Sequence, residues 1–109
     1  MSSLTLIVDG NSSIVTVPEK VINEGESFFA KLDADMDQGW KVGPEYIENP
    51  DQETRLKIVA DRLMAAIESG KSGLADLLAG YIVIRDPSVQ AIRLDLSGDP
   101  LNTELIKNN

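Results

Sequence analysis

The chain has 109 residues, no cysteine, no histidine and a formal charge of −8. Without cysteine there is no disulfide, thiolate ligand or thiol nucleophile, and without histidine the commonest general base, the commonest metal ligand and the Ser-His-Asp arrangement are all absent. Acidity on this scale also argues against nucleic acid and anionic membranes as partners, since both call for a cationic surface.

The length suits one domain spanning residues 1–109. The charge is concentrated. Residues 19–53 hold ten acids against Lys20, Lys31 and Lys41, whereas residues 54–109 balance seven acids with seven bases. The plain reading of the acidic half is a solvated face that keeps the chain soluble. The sharper reading is a docking face for a basic protein partner. Residues 1–6 lack the basic region and long apolar core of a signal peptide. No apolar run reaches membrane length. The expectation is a cytoplasmic protein with no membrane partner.

In chain order, residues 4–17 read as a β-hairpin. Leu-Thr-Leu-Ile-Val and Ser-Ile-Val-Thr-Val flank Asp9-Gly10, a strong signal for a two-residue turn. Leu4, Leu6 and Val8 face one side at period two, and Pro18 ends the second strand. Val21 and Ile22 fall in a short connection with room for one helical turn. Residues 24–36 are expected to be a helix, with Phe28, Leu32 and Met36 at i, i+4 and i+8. Residues 37–48 read as an irregular loop, but Trp40, Val42, Tyr46 and Ile47 should fold it back onto the domain.

The next stretch, residues 49–85, organises the chain as two helices back to back. Asn49 is the expected N-cap, followed by Pro50 at the first helical position and Gln52 at capping-box spacing. Asp51 to Arg55 and Glu53 to Lys57 are i,i+4 pairs in the favourable order. Leu56, Val59, Ala60, Leu63 and Ile67 form one apolar stripe, and Gly70 stops the helix. Ser72 is the expected cap of the second helix. From Leu74 to Ile84 only Asp76 is charged, so this helix must be covered nearly all round. Arg85-Asp86-Pro87 ends it. Residues 89–96 alternate as a half-buried strand, residues 97–100 turn, and residues 101–109 read as a short tail with a frayed end.

The expected architecture is therefore α+β. A small antiparallel sheet, made of the hairpin and the 89–96 strand, packs on the helical hairpin, with one further helix near 24–36.

Few constellations carry chemistry. Asp33, Asp35 and Asp37 match the opening of a calcium loop, but Gln38 stands where that loop needs glycine and Pro44 where it needs a bidentate glutamate. A one-residue insertion would mend both, so the three are weak metal candidates beside the simpler reading of an acidic helix end. Paired carboxylates such as Asp33 and Asp37 arise by chance among eighteen acids. The Gly70-Lys71-Ser72 fragment lacks the rest of a phosphate loop and reads as an interhelical turn. No dinucleotide or helix-turn-helix signature is present and no cofactor is implied, which points away from catalysis.

Two functions remain. The first is a non-catalytic interaction or regulatory module, expected to be a homodimer. Its interface candidates are Leu78, Tyr81, Ile82 and Val83 on the apolar helix, together with Trp40, whose plainer role is to plug the edge of the core. The alternative is a small-ligand or hard-metal-ion binding protein using the acidic loop from Asp33 to Trp40.

Overall fold

Asp9 and Gly10 join the first two strands with φ of 52° and 80°. Two positive values in succession make the mirror-image turn whose twist matches paired strands, and a glycine there adopts it without strain. The computed structural model describes residues 2–95 and 99–108. The turn sets β1 (Ser2–Val8) against β2 (Asn11–Val17) in antiparallel register, unbroken from Ser2↔Val17 to Val8↔Asn11.

Downstream come α1 (Glu19–Glu24), α2 (Glu26–Asp37), β3 (Trp40–Val42), β4 (Glu45–Ile47), α3 (Gln52–Glu68), α4 (Ser72–Arg85), β5 (Val89–Leu94), a 3-10 turn (Pro100–Asn102) and β6 (Glu104–Lys107). The α+β class holds, and the main sheet packs on the α3–α4 hairpin. Its strand order is β2-β1-β5-β6. β5 joins β1 in parallel, so the sheet is mixed rather than wholly antiparallel. Leu96, at the expected end of that strand, and Ser97-Gly98 of the expected turn lie outside the described residues.

Three expectations change. The helix expected over 24–36 is present as α2, and the connection before it, given room for one helical turn, is a separate helix, α1, that meets α2 at Gly25. The loop at 37–48 contains a small hairpin, β3–β4, in which Trp40 faces Ile47. The tail is a strand: β6 pairs with β5, Leu105 opposite Ile92. Its Leu-Ile pair is too short to read by periodicity, and only a neighbouring edge makes it a strand.

The caps also move. α3 begins at Gln52, and Asp51 caps it by accepting from the Thr54 N–H at 2.8 Å. Asn49 instead sits at φ 43° before the helix and offers its side-chain oxygen to Arg55. Gln52 does not close a capping box on it; its amide donates to the Arg85 carbonyl at 3.1 Å. Arg55 and Lys57 likewise reach beyond their i−4 neighbours, Lys57 to the Leu101 carbonyl. Ser72 makes no side-chain cap.

The core lies between the sheet and the helices. Leu4, Leu6 and Val17 from the hairpin meet Leu56, Val59 and Leu63 of α3 and Leu78, Ala79 and Ile82 of α4, all buried. Ile67, expected on the α3 stripe, is 40% exposed. α4 needs cover all round and finds it: α3, α1, α2, β1 and β2 all pack against it. Gly80 makes the α1 contact possible, because a Cβ there would stand 2.5 Å from Val21 Cγ1 and 3.1 Å from the Phe29 ring. Among the described residues no helix is long and apolar enough to cross a membrane.

Candidate functional site

The acidic triplet lies on a helix, not a loop. Asp33 and Asp37 are one turn apart on α2, while Asp35 is rotated about 200° from Asp33 at 100° per residue and lies exposed. The two aligned carboxylates meet arginines. Arg55 donates to Asp33 at 3.2 Å and to Asp37 at 2.6 Å, and its remaining N–H groups reach the Asn49 side chain and the Pro50 carbonyl. Arg85 donates to Asp33 at 3.0 Å and grips Glu26 with both terminal nitrogens. The Tyr81 hydroxyl donates to Asp33 at 2.5 Å. One carboxylate thus ties α2 to α3 and α4.

Burial pushes the Asp33 carboxyl up, but hydrogen bonds from Tyr81, Arg85 and Arg55 outweigh it and hold the pKa below its ordinary value. Burial and the Asp33 contact raise the Tyr81 hydroxyl. The Glu26 contact raises Arg85, whose guanidinium also lies 5.5 Å from the Tyr81 ring centre and 5.8 Å from that of Phe29. Every group here already has a partner of opposite character. The arrangement fastens helices, and both Asp33 oxygens and one oxygen of Asp37 are engaged by donors within the chain. Among the described residues no group of three or more acids is placed to hold a metal ion.

Leu78, Tyr81 and Ile82 are fully buried within the chain and Val83 is half-buried. The premise that α4 keeps an uncovered side is therefore corrected: α1 and α2, not a second chain, complete its cover. Trp40 is half-buried and packs against the core, with the Arg62 guanidinium 5.8 Å from its ring centre. Beside it lies a small hollow of about 150 Å³, lined by Lys41, Gly43, Ile58, Asp61 and Arg62 among others. Burial raises the Asp61 carboxyl above its ordinary value. The volume is below the few hundred Å³ typical of a small-molecule site.

The feature that sequence reasoning missed is the β2 margin of the sheet. The helices cover one sheet face, marked by Leu4, Leu6 and Ile92. Cross-strand partners share a face, so the register places Ile14, Thr5, Ala91 and Ile106 in one row across the opposite, uncovered face. Ile14 is 71% exposed, the most exposed large apolar side chain among the described residues. On the helix side of the same margin, a groove of about 380 Å³ runs between Ser13–Thr16 and the α3–α4 turn, with Ile67, Lys71, Ala75 and Asp76 along its wall.

The backbone at this margin follows from the turn. In a two-residue hairpin the closing pair, Val8 and Asn11, exchanges hydrogen bonds, and bonded pairs then recur every second residue. Ser13, Val15 and Val17 therefore face β1, while Ser12, Ile14 and Thr16 turn their N–H and C=O groups outward. Among the described residues no backbone hydrogen bond from outside the hairpin reaches these three. The hairpin was legible in the sequence. That its second strand forms an outer edge was not, because that depends on β5 choosing β1.

No protein-family profile matches this chain, and no curated protein or solved structure matches it.

Proposed function

We propose that this protein is a non-catalytic interaction module that self-associates by extending its main sheet. One observation carries the reading: β2 is a seven-residue edge strand with no charged residue, no proline and no bulge. Edge strands are ordinarily blunted by shortness, charge, proline or bulges, because unpaired N–H and C=O groups template another strand. The opposite edge is blunted in this way. β6 has four residues, carries Glu104 and Lys107 at its ends, and its pairing with β5 is broken by a register shift between Val89 and Ala91. An unblunted edge opposite a blunted one supports reading β2 as the surface for strand addition.

Sedimentation of the wild-type chain against Ile14→Pro tests this. Proline at 14 removes an outward N–H and leaves the hairpin's own bonds in place. The wild type is expected to sediment above its 11.8 kDa monomer mass and the variant at it. A wild type that stays monomeric, with amide exchange at residues 12, 14 and 16 independent of concentration, refutes the reading. The second reading, a small-ligand protein, rests on the Trp40 hollow and on Asp61 at its wall, whose carboxyl is raised above its ordinary value. Quenching of Trp40 fluorescence by a saturable ligand, lost in Asp61→Asn, would favour it.

A further inference from the structure

We infer that the occupant of the β2 edge is β2 of a second copy, paired antiparallel about a two-fold axis at Ile14. The inference rests on the strand-addition reading above and adds the strand that pairs, the register and the axis.

Self-complementarity comes first. The outward-facing residues are Ser12, Ile14 and Thr16, evenly spaced about Ile14. Turning the strand by two-fold rotation places Ile14 against Ile14 of the copy, Ser12 against its Thr16, and Thr16 against its Ser12. All three positions then form hydrogen-bonded pairs, so every unpaired N–H and C=O on this edge finds a partner. The side chains agree. The most exposed large apolar group meets its own image at the axis, and each flanking pair joins two hydroxyls. Pro18, with no N–H, limits the pairing to the length of β2. Two four-stranded sheets merge into one of eight strands.

Charge decides between a copy and a different partner. The chain carries −8, so two copies repel wherever their acidic faces meet. The ten acids of residues 19–53 belong to α1, α2, β4, the link from β4 to α3 and the start of α3. Asn11–Val17 carries no charge, and the groove beside it carries one of each sign, Lys71 and Asp76. This margin has no net charge to select a basic or an acidic peptide and gives a copy little to repel. On the helix side, the copy's Val15 and Ser13 stand opposite Ser13 and Val15 and lie over the groove walled by Ile67 and Ala75, covering apolar surface that the monomer leaves wet.

Single cysteines in a chain that has none test the register. Ile14→Cys, Ser12→Cys and Thr16→Cys are each made in the full chain and oxidised gently, and crosslinks are read on a non-reducing gel. At the axis the Cα atoms of a bonded pair stand about 5.5 Å apart, within disulfide reach. A residue at 12 and its own copy are four strand positions apart, about 14 Å at 3.4 Å per residue, which is beyond reach. Ile14→Cys should therefore crosslink to itself, Ser12→Cys and Thr16→Cys should not, and a mixture of those two should crosslink to each other. Equal crosslinking of all three single variants is random collision and overturns the proposal. A species of twice the monomer mass without the Ile14→Cys crosslink overturns the axis and register but leaves the interaction reading standing. A strictly monomeric wild type defeats both.

Discussion

Replacing Asp33 with alanine removes the carboxylate on which three helices converge. The Tyr81 hydroxyl, on a residue with no exposed surface, loses its acceptor, and a buried unpaired hydroxyl costs about 1–3 kcal/mol. Arg55 and Arg85 each lose one partner but keep others in Asp37, Asn49 and Glu26. Their side chains are 11% and 21% exposed, so water screens part of the loss, and the two together add about 1 kcal/mol. The expected destabilisation is about 2–4 kcal/mol at neutral pH. Asp33→Asn keeps the shape and an acceptor for Tyr81 while dropping the charge, and should cost about 1–2 kcal/mol. Urea denaturation at several pH values is the assay. Because the folded-state pKa of Asp33 lies below its ordinary 3.8, its contribution is fully present above that value. It disappears as pH falls through the lower folded value. Wild type and Asp33→Asn should therefore differ at neutral pH and converge in acid. A loss below about 1 kcal/mol for Asp33→Ala, or a gap between wild type and Asp33→Asn that does not narrow in acid, would refute this account of the network.

Leu63→Ala, at a fully buried site on α3, should cost about 2–5 kcal/mol in chemical denaturation. Gly80→Ala should destabilise by about 1–3 kcal/mol through the clash with Val21 and Phe29, whereas Gly73→Ala, which meets nothing within 4 Å, should be neutral or stabilising in the same melt. Asp61→Asn should raise Tm at neutral pH and lose that advantage in acid, because a carboxyl whose folded pKa is raised disfavours the fold only while ionised. Calorimetry with Ca²⁺ should show no stoichiometric site at Asp33 and Asp37, because both Asp33 oxygens and one Asp37 oxygen already bind arginine.

Much of the local structure was written in the chain. Asp9-Gly10 specifies its turn by backbone sterics alone, the stripe from Leu56 to Leu63 specifies a helix face, and the absence of charged residues between Leu77 and Ile84 requires a covered helix. These are short-range properties, fixed by what each residue can do beside its neighbours. The candidate site was less legible. Asp33, Asp35 and Asp37 look alike as a spacing, and only their partners separate them. Arg55 and Arg85 stand 22 and 52 residues further on, and no periodicity foretells which carboxylate they choose.

The tertiary structure decided what depends on such long-range choices. Gly80 admits α1 against α4, so the apolar helix is closed within one chain, and Leu78, Tyr81 and Ile82 become core. β5 pairs in parallel with β1 and draws residues 104–107 in as β6, which turns an apparent tail into the blunted edge of the sheet. The same pairing leaves β2 as the other edge, with Ile14 in water. Composition already determined that β2 carries no charge and that this acidic chain has neither histidine nor cysteine. Whether an uncharged strand lies at the centre of a sheet or at its open margin is set by strand order, and strand order is a property of contacts between residues far apart in sequence.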